Sequence, residues 1–313
     1  MTTAVNTTPR LASRLVNGFL SIKPLAHLAK QQARKMIVKR AEQIGVPWTK
    51  QVNELRSLDW DSFLSQVQNP QLTYPDYYLR PFHAYDKGNL QWDAAFEQEV
   101  AAYAVHANLY PKDRLQGDAK LRQSYHELMQ KHVTIEPQDI LDILDLGCGV
   151  GMSTFALQQI YPQANMTGVD LSPYFLAVAA YNSQQHQTEI NWKHAAAETT
   201  GLPDDSYDLV SIFLVFHELP QTAAQEILRE ARRLLRPGGY LTVMDMNPQS
   251  QVYATMPAYV FTLFKSTEPY FDEYFTWDIE QAIAQAGFQP PTIIANTPRH
   301  RTIIAQVEEV IGD

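Results

Sequence analysis

From Ile140 onward the chain alternates short apolar runs with helical segments. The apolar runs fall at 140–146, 165–169, 207–216, 240–246 and 291–295. Helical periodicity fills 151–160, 172–184, 221–235 and 276–286, with turn signals at Pro162, 201–203, 237–239 and 287–291. Strands that alternate with helices must cross over to reach their neighbours. The pattern therefore predicts an α/β fold with a parallel, doubly wound sheet. A last run, 301–307, follows the strand at 291–295 after a short polar link, which suits an antiparallel hairpin.

The region before this alternation reads as helical. Leu11, Leu15, Phe19 and Ile22 share a face, Pro24 breaks the helix, and Gly45 and Pro47 end it. Shorter helices are expected within 48–70, at 91–107 and at 118–132. The expected division is a helical extension or substrate cap over 1–134 and a ligand-binding domain over 135–313. An insertion at 248–275 serves the latter as a lid.

One strand–helix junction carries the chemistry. Ile143-Leu-Asp145-Leu-Gly147-Cys148-Gly149-Val-Gly151 places glycines where a backbone passes close to a ligand and a helix N-terminus begins. A tight turn without a ligand is the plainer alternative. A nicotinamide site needs a third Gly or Ala three places after the second glycine. Counted from Gly147 that place holds Met152, and counted from Gly149 it holds Thr154. Asp145 also opposes a pyrophosphate but suits a ligand that brings an amino group. The second junction, Gly168-Val-Asp170-Leu171-Ser172, ends in an acid suited to ribose hydroxyls, or to the start of a helix capped by Ser172 with Pro173.

These residues, with Ala197-Glu198, Leu202-Pro203, Ser206-Tyr-Asp208 and Leu235-Arg-Pro-Gly-Gly239, resemble the class I S-adenosylmethionine-dependent methyltransferases. The nearest branch is the small-molecule one that includes ubiquinone- and menaquinone-type enzymes. The resemblance covers about residues 135–310. It implies a seven-stranded, Rossmann-like sheet with the last strand antiparallel, and S-adenosylmethionine as cofactor. It also implies that Asp145, Gly147, Cys148, Gly149 and Gly151 surround the methionine end, and that Asp170 holds the ribose. Leu171 would flank the adenine, and Leu214 with Val215 would close the pocket. Relatives often carry an acid directly before the alanine, where this chain reads His194-Ala-Ala-Ala-Glu198. The adenine amino group then falls to Ala197 and Glu198, or to backbone.

Methyl transfer requires alignment and, for a hydroxyl or carbon acceptor, a base. The carboxyl ends of the strands select His217 and Glu218 as catalytic candidates, with Asp245 and Asn247 nearby. His217 is the expected general base or, more plainly, a helix cap. Glu218 orients it or stands in solvent. His83, Tyr85, Asn247, Tyr259, Tyr270 and Arg301 are the expected acceptor contacts, forming aromatic walls for a flat or lipophilic molecule. The alternative to an enzyme is a regulatory protein that binds the cofactor without turnover.

Charge sorts the remaining possibilities. Residues 1–50 hold nine Lys/Arg against one acid, a net of +8. The remainder holds 16 basic and 33 acidic residues, a net of −17. An acidic catalytic part argues against a nucleic-acid partner. The single cysteine forms no internal disulfide, supports no Cys-rich metal site, and is compatible with a reducing, cytoplasmic setting. The basic, amphipathic stretch at 10–45 suits docking onto the acidic domain, peripheral contact with an anionic membrane, or organelle targeting.

Overall fold

The computed structural model describes residues 34–83, 85–135, 140–257, 260–261, 265 and 268–309. Seven strands form one sheet: β1 (Asp142–Leu146), β2 (Asn165–Asp170), β3 (Ile190–His194), β4 (Tyr207–Phe213), β5 (Leu235–Met246), β6 (Thr292–Ala295) and β7 (His300–Gln306). Their order is β3-β2-β1-β4-β5-β7-β6. β3, β2, β1, β4 and β5 pair in parallel, whereas β7 lies antiparallel between β5 and β6. The doubly wound sheet and its terminal hairpin are as the sequence predicts. β3 escaped the apolar-run criterion because Asn191, Lys193 and His194 interrupt its edge strand.

The longer described helices are α1 (Trp48–Arg56), α2 (Asp61–Val67), α3 (Trp92–His106), α4 (Gly117–His132), α5 (Met152–Ile160), α6 (Pro173–His186), α7 (Gln221–Leu234), α8 (Phe271–Thr276) and α9 (Ile279–Gln285), with one further turn of helix at Gln251–Ala254. Residues 34–43 are also helical. The rest of the expected helix at 10–33 lies outside the described residues.

Helices cover both sheet faces, because strand side chains alternate. On one face Leu144, Leu146, Val210, Ile212, Leu241 and Val243 meet Ile227, Leu228, Ala231 and Leu234 of α7 and Ile279 and Ile283 of α9. The 3–4 spacing in α7 creates that stripe and leaves Glu226, Arg229 and Arg232 on the other side. On the opposite face Ile143, Leu209, Phe213 and Met244 meet Leu157 of α5 and Leu121, Tyr125 and Met129 of α4. Tyr125 fixes α4 there: its hydroxyl lies 2.9 Å from Ser211 Oγ and donates to Thr242 Oγ1 at 2.7 Å. The N-terminal helices form a separate apolar cluster with α6, in which Trp48, Trp60, Phe96 and Val100 pack with Phe175 and Val178. That cluster brings α3, and the segment before it, over the carboxyl ends of β1 and β2.

Candidate active site

The glycine loop is held in shape by its own backbone demands. Gly147 and Gly149 have φ of 75° and 55°, in the left-handed region. A Cβ on Gly147 would sit 2.6 Å from Val215 Cγ2, and one on Gly149 would sit 2.4 Å from Gln98 Nε2. The Gly147 and Cys148 amides donate to Val169 O at 2.8 and 3.1 Å. The Gly149 amide donates to Asp170 Oδ2 at 2.9 Å, and the Val150 amide to Gln98 Oε1 at 2.7 Å. Gly151 sits at the N-terminus of α5. The Cys148 thiol is buried, and burial pushes its pKa up, so it packs rather than reacts.

Two acids anchor the loop. Asp145 is fully buried. Its Oδ2 accepts from Ser153 Oγ and Thr154 Oγ1, both at 2.6 Å, while its Oδ1 has no partner. Asp170 Oδ1 accepts from the Ser172 amide at 2.7 Å. Burial raises each carboxyl to about 6. Arg122 of α4 lies over the Phe213 ring at 4.4 Å and donates through Nε to Asp118 Oδ2 at 2.8 Å. Its Nη1 is buried without a partner, and its charge acts on Asp145.

Beyond β2 the crevice is lined by N-terminal residues. His194 Nδ1 accepts the Asn69 amide at 2.9 Å, and its Nε2 lies 3.1 Å from Leu171 O. Ser172 Oγ donates to Asn89 O at 2.7 Å. Glu198, beside Ala197, accepts the Tyr77 hydroxyl. Leu214 has φ of 58°, a strained conformation for a branched side chain, and its amide donates to Met244 O at 2.8 Å. This bend turns β4 into the 3-10 turn Phe216–Glu218.

That turn presents His217. Its Nδ1 lies 2.7 Å from Asp245 Oδ1, and its backbone N–H donates to Asp245 Oδ2 at 3.2 Å. Burial alone would depress the imidazole. The Asp245 carboxylate, with Glu268 and Glu218 beyond it, overrides this and raises it to about 10. Tyr274 closes one side, its ring edge-on to His217 and its hydroxyl donating to Met246 O at 2.7 Å. A cavity beside Glu218 is lined by Tyr77, Tyr78, Phe82, Pro269 and Tyr270. His83 Nε2 lies 3.7 Å from Glu218 Oε1. Among the described residues no group of three or more His, Cys, Asp or Glu is arranged to hold a metal ion.

The expected acceptor contacts divide. His83 and Tyr270 stand at this cavity or beside Glu218. Tyr85 does not: its hydroxyl donates to Glu97 Oε2 at 2.6 Å, burial pushes it up to about 12, and its ring packs with the N-terminal helices. Asn247 Oδ1 accepts the Gln249 amide at 3.2 Å in the turn after β5. Arg301 is buried opposite Asp245 in the β5–β7 ladder, with its guanidinium 6.0 Å from the Tyr274 ring centre. Tyr259 lies outside the described residues. Gln98, Arg122 and Glu268 are functional candidates that no local sequence pattern marks. Each is a polar residue far in sequence from the group it faces.

Known proteins similar to this chain are methyltransferases. Residues 143–239 match a family described as a methyltransferase domain. An uncharacterized methyltransferase from Synechocystis sp. is 28% identical over 166 residues, 53% of this chain and 74% of that protein. A ubiquinone biosynthesis O-methyltransferase from Pseudomonas aeruginosa is 29% identical over 120 residues, 37% of this chain and 50% of that protein. The chain thus spans about half the length of that relative. The solved structure of phosphoethanolamine N-methyltransferase 2 from Haemonchus contortus, in complex with S-adenosyl-L-methionine, shares the fold at a TM-score of 0.55. It is 14% identical, over 75% of this chain and 61% of that one.

The residues around the glycine loop fit that cofactor. Asp145 Oδ1 is a buried acceptor without a donor, and Arg122 Nη1 a buried donor without an acceptor. An amino-acid end, with its ammonium and carboxylate, supplies both missing partners. Each Asp170 oxygen also keeps acceptor capacity for a ribose hydroxyl.

Proposed function

We propose that this chain, which belongs to the class I S-adenosylmethionine-dependent methyltransferases, methylates an oxygen or carbon of a small aromatic or lipophilic acceptor. The observation that carries the reading is the His217–Asp245 pair at the carboxyl ends of β4 and β5, with the next residue, Glu218, in the wall of a cavity lined by aromatic rings. Bound at the glycine loop, S-adenosylmethionine supplies an electrophilic methyl group on a good leaving group. Asp145 and Arg122 orient its amino-acid end, and Asp170 its ribose.

His217 supplies the proton acceptor. Asp245 fixes the ring with Nδ1 inward, which leaves Nε2 for the substrate. A phenolic hydroxyl has an ordinary pKa of about 10. An imidazole raised to about 10 takes its proton with little free-energy cost. Asp245 then stabilises the imidazolium. Tyr77, Tyr78, Phe82 and Tyr270 exclude water and flank a flat ring.

Release of S-adenosylhomocysteine from labelled cofactor, measured across phenols, quinols and simple amines, tests the reading. Turnover of phenols or quinols is expected. Tight cofactor binding with no transfer to any acceptor would favour the non-catalytic alternative.

The N-terminus adds a second surface. In the helical stretch 34–43, Lys35, Met36, Ile37, Lys39 and Arg40 are exposed. With the net +8 of residues 1–50, this exposed basic stretch suits an anionic lipid surface and so a lipophilic acceptor. Cosedimentation with vesicles containing phosphatidylglycerol is expected, and its absence in low salt would remove the membrane contact.

A further inference from the structure

Next to His217 lies more negative charge than proton transfer uses. Glu218 Oε1 and Glu268 Oε2 stand 4.0 and 3.9 Å from His217 Nε2, outside hydrogen-bond reach. Glu268 is 8% exposed, and its Oε2 has no hydrogen-bond partner. A carboxylate buried to that degree calls for a cation or donor. The His217 imidazole meets part of the demand from within, at 3.9 Å from Glu268 Oε2, and His83 meets part from outside. Its Nε2 lies 3.7 Å from Glu218 Oε1 and 3.8 Å from Glu268 Oε1, on a side chain 41% exposed and a backbone at φ 47°. A histidine in that strained conformation, reaching in from the surface, acts as a stand-in cation between the two acids.

The adjoining cavity has the matching chemistry. Tyr77, Tyr78, Phe82 and Tyr270 line it together with Glu218. Aromatic faces combined with a carboxylate attract ammonium groups. Arg80, the one Lys or Arg among its lining residues, is exposed.

We infer that the acceptor carries a protonated amine, which replaces the His83 imidazole between Glu218 and Glu268 while its ring rests on the aromatic walls. This rests on the acceptor site proposed above and makes Glu268 a specificity-determining residue. A neutral acceptor that displaces His83 leaves Glu218 Oε1 and Glu268 Oε1 without a cation, and an anionic one meets both carboxylates.

Calorimetry on the full chain saturated with S-adenosylhomocysteine, near neutral pH, tests this. Tyramine, tyrosol and 4-hydroxyphenylacetate share a phenol ring and differ in the terminal group. Tyramine should bind about tenfold tighter than tyrosol, and 4-hydroxyphenylacetate more weakly than either. Glu268→Gln should remove most of the advantage of tyramine over tyrosol. Equal affinities, a preference for the acid, or no tyramine binding at millimolar concentration would overturn the inference. So would a Glu268→Gln protein that loses affinity for S-adenosylmethionine alone, since the carboxylate would then serve the sulfonium. The binding order is read without turnover, so a failure of methyl transfer is seen separately, as absent product.

Discussion

The Asp245 carboxylate holds His217 twice, through Nδ1 at 2.7 Å and through the backbone N–H at 3.2 Å. The pair joins the turn after β4 to the end of β5, across 28 residues of sequence. Asp245 is therefore both the electrostatic partner of the base and the fastener of the turn that carries it.

Replacing the base isolates its role. His217→Ala should lower kcat on a hydroxyl acceptor by about 10²–10⁴-fold. Affinity for S-adenosylhomocysteine should be unchanged, because the Asp145 and Asp170 anchors lie elsewhere. Single-turnover kinetics and calorimetry check the two halves, and undiminished turnover removes His217 as the base.

The same pair sets a pH profile. The neutral form of His217 accepts the proton, so kcat should climb with pH towards a plateau above about 10. Stability runs the other way. A group raised in the folded state contributes fully below its ordinary value of 6.5, and that contribution is lost as pH rises through about 10. Asp245→Asn should move the kinetic inflection downward, towards the ordinary histidine range. An inflection that stays in place would separate Asp245 from the base.

Cofactor affinity should show a different dependence. Asp145 and Asp170 are raised to about 6, so both protonate as pH falls through that value. Attraction for the ammonium and for ribose hydroxyls then fades, and S-adenosylhomocysteine should bind more weakly in acid. Without ligand the sign reverses: these raised carboxyls stabilise the fold fully below 3.8, and that contribution is lost as pH rises through about 6. Thermal melts with and without ligand across this window should diverge as pH rises. Parallel curves would contradict the assignment.

Away from the chemistry, Tyr125 links α4 to the sheet. Tyr125→Phe leaves the buried Ser211 and Thr242 hydroxyls short of a partner. It should cost about 1–3 kcal/mol. A denaturation midpoint equal to that of the parent chain would show that water replaces the phenol.

Local rules made the frame legible. The turn from β1 into α5 needs left-handed backbone at Gly147 and Gly149, and glycine announces that in the sequence. Ser172 with Pro173 announces the start of α6, and the 3–4 spacing of α7 announces which face it buries. Residues within or beside these signals, such as Asp145, Asp170 and His217, were readable because strand ends fix where they point. β3 was not, since an edge strand with few apolar residues lacks the pattern.

The sequence by itself thus determined the alternating sheet, the glycine loop and the acids at the strand ends, all products of backbone conformation and short-range periodicity. Only the tertiary structure decided the company these residues keep. Gln98 reaches Val150 across 52 positions, Tyr77 reaches Glu198 across 121, and Glu268 comes to within 3.9 Å of His217. Tyr85, two residues from His83, turns instead to Glu97. Such pairings follow from how whole helices pack on the sheet, a sum of many weak apolar contacts that no short stretch of sequence contains.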